Sequence, residues 1–365
     1  MNILFVVCGE GLGHASRSTK LANHLKKRGE NCVFASYGKA YSFIQKQIDC
    51  PVYEISREVT LEGSGGYFSI GKTLASSVTI PVSLVKSFFT AWKVLKKENI
   101  DVVVCDTMFA AGVAAKILKI PVLFMTNQNH FSSLAEPDVW YWKLFGKVIS
   151  TYLSLVPKKV LVPDFAPPYT VSGHNFRIQE KDSAHYIFIG PILDPSIHEY
   201  TPTEEIVFAS FGGEPFKMPL YAMLKEISEL DSELDVHVFA TSPGLPEEGQ
   251  NFKIAGYVES IFPYMASAKT AIIHGGLTSL HEALYFGKPV LLIIDPYHPE
   301  QGNNGRKIEE LGFGMMIRGD ETTTESLHAA IRSCMKMPAK DLQSLYAENN
   351  GAENFCRVLD EIVNG

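Results

Sequence analysis

Short apolar runs alternate with helix-forming segments along the whole chain, and this alternation constrains the fold more than any other feature. The runs of the first half lie at residues 3–8, 32–36, 102–105 and 121–126, and those of the second half at 206–210, 236–240, 271–273 and 290–294. Continuous apolar runs of this kind are typical of parallel strands that are covered on both faces. The alternation therefore predicts an α/β protein with two Rossmann-like units, each an open parallel sheet with right-handed crossovers.

A polar stretch with three prolines, residues 191–205, separates the two halves. Proline has no N–H to donate to a helix or a sheet, so this stretch is typical of a linker. A chain of 365 residues suits two domains, since one domain has roughly 100–200 residues. We therefore expect domains at 1–190 and 203–345, followed by a C-terminal helix within 346–365 that packs back toward the first domain.

Composition argues against several classes of protein. The net charge of −7 at pH 7 disfavours nucleic-acid binding, which is typical of basic domains. Cys8, Cys32 and Cys105 lie in apolar runs and the chain has no CxxC pair, so we interpret these residues as buried thiols in a reducing compartment. No uncharged apolar run reaches the ~18 residues of a membrane span, and no basic segment precedes the first run, as a signal peptide would require. These features favour a cytoplasmic enzyme.

A glycine loop follows the first predicted strand and ends in a histidine. Gly9, Gly11 and Gly13 precede His14 and Arg17 at the start of a predicted helix. The N–H groups of a helix start bind anions, and the helix dipole there disfavours a cationic histidine. A neutral imidazole can act as a general base. The alternative is a tight β–α turn with a surface histidine.

Asp106 ends a predicted strand and is the candidate partner of His14. Ligands of open α/β sheets bind beyond the carboxyl ends of the strands, where both residues are expected to lie. A carboxylate on one ring nitrogen would fix the tautomer and stabilise the imidazolium. The alternative role for Asp106 is the N-cap of the next helix.

The junction between strand and helix at residues 271–284 carries a second glycine cluster. His274, Gly275 and Gly276 end the strand, and the bare N–H groups of the following helix can bind a diphosphate. Glu282 lies one turn beyond the start of that helix, where a carboxylate can accept hydrogen bonds from two ribose hydroxyls. This junction therefore predicts a nucleotide site.

A polar loop follows the next predicted strand at residues 295–304. Its acceptors and amides could hold sugar hydroxyls, although Pro, Gly and Asn also serve in ordinary turns. The chain has no Asp-x-Asp pair of the kind that holds a diphosphate through a divalent ion. We therefore expect no metal and no cofactor, with helix N-termini and His274 in that role.

Together these motifs resemble the donor signature of glycosyltransferases with the GT-B fold, in which two Rossmann-like domains face a cleft. They are similar to the family 1 UDP-glycosyltransferases and to the family 28 enzyme that adds N-acetylglucosamine to the lipid-linked peptidoglycan precursor. Residues 11–14 resemble the N-terminal glycine loop of those enzymes, and Asp106 matches the aspartate that pairs with the catalytic histidine in family 1. The resemblance covers nearly the whole chain and is strongest at residues 255–314.

The resemblance implies roles for residues of both halves. Those on the donor side are Tyr257 and Val258 for the base, Glu282 for the ribose, Gly212, Gly213, His274, Gly275, Gly276 and Ser279 for the diphosphate, and Glu300, Gln301 and Asn304 for the sugar. Those of an acceptor-side loop beside the catalytic pair are Gly11, Gly13, Arg17, Asn127 and Gln128. Two departures are the absence of the family 1 tryptophan at the base and the replacement of the family 28 Gln-Gln pair by Glu300-Gln301.

Two segments of the first half, residues 79–97 and 139–159, combine lysines with aromatic and aliphatic residues. This composition suits an anionic membrane surface at the inner face of the cell membrane, with a glycolipid or polyprenyl-linked acceptor. The alternative is a pair of ordinary helices with buried apolar faces and solvated lysines. A glycine- and serine-rich segment at residues 62–71 is interpreted as a loop over the cleft.

Three functions stay open at this point. An inverting transferase would use His14 to deprotonate an acceptor hydroxyl, with a UDP-sugar such as UDP-N-acetylglucosamine as donor. A nucleotide-sugar hydrolase would use water as the acceptor, since residues 13–17 also resemble hydrolases that strip UDP from sialic-acid-like precursors. A non-catalytic nucleotide-sugar-binding subunit is disfavoured because His14, Asp106 and Glu282 are all present.

Overall fold

The computed structural model describes the chain except residues 59–62, 65–66, 70–72, 74–76, 138, 212–216, 243, 257 and 365. Strands and helices alternate along the described residues, and the strands form two parallel sheets and a short hairpin. The prediction of an α/β protein with two parallel sheets is confirmed.

The first sheet is built by the N-terminal half of the chain. The strands of this half are β1 (Asn2–Val7), β2 (Asn31–Ser36), β3 (Val52–Glu54), β4 (Gly63–Ser64), β5 (Tyr67–Phe68), β6 (Val102–Asp106), β7 (Val122–Met125), β8 (Lys159–Val162) and β9 (Tyr186–Phe188). β4 and β5 form an antiparallel hairpin, and the others pair in parallel in the order β3-β2-β1-β6-β7-β8-β9. The order reverses between β1 and β6, which is where ligands bind in such sheets.

Helices cover both faces of this sheet, which explains why its strands are apolar throughout. The helices of this half are α1 (Gly13–Lys27), α2 (Gly38–Gln47), α3 (Ile80–Lys97), α4 (Ala110–Ile117) and α5 (Trp140–Leu155). One face is buried by α3, α4 and α5 through residues such as Ala91, Ala111 and Leu153. The other face is covered by α1 and α2 through Leu21 and Ile44.

The second sheet belongs to the C-terminal half and repeats the same order. Its strands are β10 (Ile206–Ser210), β11 (Val236–Val238), β12 (Phe252–Ile254), β13 (Ala268–Ile273), β14 (Val290–Ile294) and β15 (Gly314–Arg318). Its helices are α6 (Met218–Leu230), α7 (Phe262–Ser267), α8 (Leu277–Tyr285), α9 (Gln301–Leu311) and α10 (Thr324–Met335). The strands pair in parallel in the order β12-β11-β10-β13-β14-β15. The order reverses between β10 and β13, which is the second position in this protein where ligands bind in such sheets.

The chain ends with α11 (Gln343–Glu348) and α12 (Gly351–Asn364), and α12 returns to the first sheet. Phe355 and Leu359 are fully buried in the same core cluster as Phe5 of β1. The guanidinium of Arg28 lies 2.9 Å from the carboxylate of Asp360. The last helix therefore packs on the half of the chain that is farthest from it in sequence.

Trp142 of the aromatic segment at residues 139–159 is a core residue, because its side chain is buried and its ring stacks on Phe131 with centroids 6.1 Å apart. The thiols of Cys8, Cys32 and Cys105 are free and buried, as predicted. Residues 63–64 and 67–68 of the predicted loop form the hairpin, whereas residues 62, 65–66 and 70–71 lie outside the described residues. Where the chain is described, no helix has both the length and the apolarity to cross a bilayer.

Candidate active site

His14 and Asp106 lie together at the ligand-binding edge of the first sheet. The glycine loop after β1 places His14 in the first turn of α1, and Asp106 ends the neighbouring strand β6. Nδ1 of His14 lies 2.7 Å from Oδ1 of Asp106. When Nδ1 donates its proton to the carboxylate, Nε2 is left as an acceptor on a ring that is 22% exposed. This geometry suits a general base held in one tautomer.

Asp106 is a completely buried carboxylate with several donors around it. Nε of Arg17 donates to Oδ2 at 2.8 Å, and the hydroxyl of Ser18 donates to the same oxygen at 3.1 Å. Nη2 of Arg17 donates to Oδ1, so the guanidinium binds the carboxylate through two nitrogens. Burial favours the neutral acid, but Arg17 and His14 hold the pKa of Asp106 well below its usual range. Asp106 therefore stays ionised beside the imidazole.

Arg17 also starts a line of hydrogen bonds that crosses to the second half. Its Nη1 donates to Oδ1 of Asn127 at 2.6 Å, and Nδ2 of Asn127 donates to Oε1 of Glu300 at 3.2 Å. Burial raises the pKa of Glu300, while His14 and Arg17 act in the opposite direction. Gln128 has a buried Oε1 that finds no hydrogen-bond partner among the described residues. The predicted acceptor-side loop thus contacts the predicted sugar loop.

The helix start predicted to hold the diphosphate has an open geometry. Gly275 has a φ of 81° and Gly276 is the N-cap of α8. Within the part of the chain that the structure describes, no side chain caps this helix, and an uncapped helix start suits an anion. A Cβ on Gly13 would lie 3.4 Å from the hydroxyl of Thr278. The starts of α1 and α8, one from each half, are therefore close neighbours.

The other predicted donor residues of α8 differ in exposure. The imidazole of His274 lies against Gly276, with Nε2 3.0 Å from the position that a Cβ there would take. Ser279 is partly exposed. Glu282 is only 6% exposed, and its Oε1 lies 2.9 Å from Nζ of Lys20 in α1. The predicted ribose carboxylate therefore has a partner from the other half of the molecule.

The loop predicted to hold the donor sugar is braced from within. Oε1 of Gln301 accepts the backbone N–H of Asp295 at 2.9 Å. Nδ2 of Asn304 donates to the carbonyl of Gly275 at 2.9 Å and lies 3.4 Å from Oε1 of Glu300. Asn304 is completely buried, and its hydrogen bonds brace the loop against the start of α8. Glu300, which is partly exposed, is the carboxylate that this loop presents.

Of the two residues expected to contact the nucleotide base, only Val258 lies among the described residues. Gly212, Gly213 and Tyr257 lie outside the described residues. Val258 is partly exposed and packs against the core cluster of the second half. The structure therefore adds no contact that bears on base recognition.

The sequence analysis missed the ion pair between Lys20 and Glu282. Lys20 follows Arg17 by three residues and lies on the same face of α1, and this spacing was the available signal.

The sequence analysis also missed the contacts of His281. Its Nε2 lies 3.1 Å from Oδ1 of Asp164, and its Nδ1 lies 3.0 Å from the hydroxyl of Tyr346. All three side chains of this network are buried. No local pattern could have found a network whose members lie so far apart in sequence.

One group of potential metal ligands was found among the described residues, and it lies away from this site. Glu204, Asp235 and His237 form it, near the amino ends of β10 and β11. The candidate site lies at the opposite, carboxyl ends of the strands. The ammonium of Lys253 lies 3.0 Å from Asp235 and 3.2 Å from His237, so a positive charge is already present there.

Comparison with known proteins identifies the family of this chain. A family model described as glycosyl transferase family 1 matches residues 1–333. The chain belongs to glycosyl transferase family 1. An uncharacterized glycosyltransferase of Methanosarcina acetivorans is 28% identical over 379 residues, which cover 100% of this chain and 99% of that protein. The UDP-N-acetylglucosamine–N-acetylmuramyl-(pentapeptide) pyrophosphoryl-undecaprenol N-acetylglucosamine transferase of Thermosipho africanus is 26% identical over 243 residues, 64% of each chain.

A solved structure supports the fold of this glycosyltransferase. The glycotransferase of kitacinnamycin matches with a TM-score of 0.74 at 16% identity, and the match covers 99% of this chain and 98% of that one. At this identity the likeness speaks for the fold alone. The expected GT-B architecture of two Rossmann-like units, and the resemblance to its glycosyltransferases, are confirmed.

Proposed function

We propose that this glycosyltransferase is an inverting hexosyltransferase that moves a sugar from a UDP-sugar to an acceptor hydroxyl. The observation that carries the proposal is the 2.7 Å contact between Nδ1 of His14 and Oδ1 of Asp106, beside the uncapped start of α8. Nε2 of His14 takes the hydroxyl proton, and the freed oxygen attacks the anomeric carbon as the nucleoside diphosphate leaves. The fixed charge of Asp106 stabilises the resulting imidazolium.

In this proposal each part of the donor meets a separate element of the second half. Gly275, Gly276 and Ser279 at the start of α8 bind the diphosphate. Glu282 binds the ribose and Glu300 the sugar. UDP-N-acetylglucosamine is the preferred donor because it is named for the Thermosipho relative. The remaining proposed donor contacts are Gly212, Gly213, Tyr257, Val258, His274, Gln301 and Asn304.

The proposed transfer proceeds without a metal ion. Negative charge develops on the leaving diphosphate beside the starts of α1 and α8, where both helix dipoles are positive. The chain has no Asp-x-Asp pair through which a divalent ion would hold the diphosphate. Helix starts therefore supply the stabilisation in this proposal.

One face of the first half supports a membrane-bound acceptor. This face is formed by α3, α4 and α5, whose sequences contain no Asp or Glu, although the whole chain has a net charge of −7. Its exposed apolar side chains include Phe89, Ile117, Trp140, Leu144 and Val148. Its exposed lysines are Lys86, Lys93, Lys96, Lys97, Lys116, Lys143 and Lys147.

Lysines that surround exposed apolar side chains suit an anionic lipid surface. We therefore propose that this basic apolar face binds the inner face of the cell membrane and that the acceptor is a glycolipid or a polyprenyl-linked hydroxyl.

We also propose that the two domains comprise residues 1–190 and 203–345, and that residues 346–365 belong with the first domain. The packing of α12 on the first sheet supports this division.

Transfer of labelled sugar from UDP-N-acetylglucosamine to extracted membrane lipid, by the wild type and by His14→Ala, tests the proposal. We expect a lipid-linked product that depends on His14. Rapid release of UDP without any acceptor would identify a hydrolase instead.

A thermal-shift screen of nucleotide sugars tests the donor, since a ligand at about 100 times its Kd adds about 2.7 kcal/mol of stability. No shift with any UDP-sugar would contradict the donor assignment.

A further inference from the structure

The carboxylate proposed to bind the donor ribose forms an enclosed ion pair between the two halves. Nζ of Lys20 lies 2.9 Å from Oε1 of Glu282, and the two side chains are 11% and 8% exposed. The same ammonium lies 5.9 Å from the ring centroid of Phe262, which belongs to the second half. Lys20 therefore reaches from α1 into the donor side of the molecule and covers Glu282.

The ammonium of Lys20 and the hydroxyls of a bound ribose would both donate to the carboxylate of Glu282. A carboxylate that binds a ribose accepts hydrogen bonds from its hydroxyls, and Oε1 of Glu282 already accepts one from the ammonium of Lys20 at 2.9 Å. Parting two enclosed charges is unfavourable unless each finds a new partner. The ribose hydroxyls offer Glu282 such a partner, so nucleotide and Lys20 are alternatives at this position.

We propose that Lys20 is a specificity-determining residue for the donor nucleotide because its ammonium competes with the ribose hydroxyls for Glu282. This inference rests on the proposed function, in which Glu282 is the ribose ligand. A nucleotide without ribose hydroxyls gains nothing by displacing Lys20. The ion pair therefore reduces the advantage that ribose hydroxyls confer on binding.

The proposal predicts a change in sugar discrimination when Lys20 is replaced. Lys20→Met removes the ammonium and keeps a long apolar side chain. Calorimetric titration compares UDP with its 2′,3′-dideoxy analogue, which lacks both ribose hydroxyls. We expect the Kd of UDP to fall about three- to tenfold in Lys20→Met, while the Kd of the dideoxy analogue stays the same. The ratio of the two constants therefore widens.

Lys27→Met is the matched control, because Lys27 is an exposed lysine of the same helix, and both constants should stay unchanged in it. Unchanged or weaker UDP binding by Lys20→Met, with normal binding by the wild type, overturns the competition. No UDP binding by any of these proteins overturns the proposed function and this inference together. If Lys20→Met does not fold, Lys20→Leu provides the same comparison, because leucine also has no group that can donate to Glu282.

Discussion

The two edges at which the strand order of each sheet reverses differ in how their charged groups are satisfied. At the edge of the first sheet, Asp106 is completely buried and bound by Arg17, Ser18 and His14 of its own half. At the edge of the second sheet, α8 starts without a cap from any side chain that the structure describes. Its Glu282 is paired with Lys20, a residue of the opposite half.

In the proposed function, this difference separates a catalytic group from a site that binds the nucleotide. A catalytic group benefits from polar partners that are fixed before the reaction, because they need no reorganisation in the transition state. A nucleotide site must keep its N–H groups and its carboxylate available for exchange. The comparison therefore predicts that changes at the first edge affect turnover and stability, whereas changes at the second edge affect donor affinity.

The largest expected effect is that of His14→Ala on turnover. Loss of a positioned general base lowers kcat by about 10²–10⁴-fold, while donor affinity should stay the same because the proposed donor site lies in the other half. Steady-state kinetics and calorimetry measure the two quantities. His24→Ala, on the same helix, is the control and should behave as the wild type. Near-normal turnover in His14→Ala would move the search for the base to Glu10 and His130.

The next effect is that of Asp106→Asn on stability. This change leaves the enclosed guanidinium of Arg17 without its anion, and breaking a buried pair in this way costs about 3–5 kcal/mol of unfolding free energy. Urea denaturation at neutral pH measures the loss. Turnover should also fall, though less than in His14→Ala, because Asp106 orients the base and stabilises its charge.

The same variant tests the pH dependence. The pKa of Asp106 is lowered in the folded state by Arg17 and His14, against the effect of burial. A lowered folded pKa adds stability above the unfolded pKa, about 3.9, and this contribution is lost as the pH falls further. The wild type should therefore lose more unfolding free energy than Asp106→Asn between about pH 7 and pH 3. Parallel pH curves for the two proteins would contradict this account.

A smaller effect is expected from Glu282→Ala at the second edge. Loss of charge-assisted hydrogen bonds to the ribose weakens donor binding by about 1.5–3 kcal/mol. kcat at saturating donor should change little, because the base and its partner are untouched. Glu282→Gln separates the charge from the shape of the side chain. Unchanged donor affinity by calorimetry in both variants would remove Glu282 from the donor site.

A modest effect is expected from Trp140→Ser on membrane binding. Trp140 is 74% exposed on the basic apolar face, so its loss should weaken sedimentation with anionic vesicles. Binding should also weaken as salt rises, because the Debye length is only about 10 Å at 0.1 M. Trp142→Ser would mainly disturb the core. Vesicle binding that is absent at every ionic strength would favour an acceptor in solution.

The smallest expected effect is that of EDTA, which should leave turnover unchanged. Helix starts rather than a divalent ion stabilise the leaving diphosphate in the proposed reaction. Assays with EDTA, and with magnesium or manganese added back, measure the dependence. Loss of turnover in EDTA that either metal restores would show that the second edge needs an ion as well.

Much of the candidate site could be predicted because parallel sheets place the ends of their strands by rule. His14 follows β1 and Asp106 ends β6, and a sheet that reverses between these strands brings both to one edge. The glycine junction at residues 271–284 was recognisable for the same reason. The burial of Asn304 was not, because the side chain that donates to its Oδ1, Asn175, lies 129 residues away in sequence.

By itself, the sequence determined the alternation of strands and helices, the two glycine junctions and the candidate catalytic pair. These features depend on periodicity and on residues next to strand ends, which are local properties. Only the tertiary structure decided that Lys20 meets Glu282 across 262 residues and that His281 meets Asp164 across 117 residues. It also decided that Trp142 faces the core. The contacts of Lys20 and His281 depend on how the two halves of the chain pack against each other, and the burial of Trp142 depends on packing within the first half. No local pattern encodes either kind of packing.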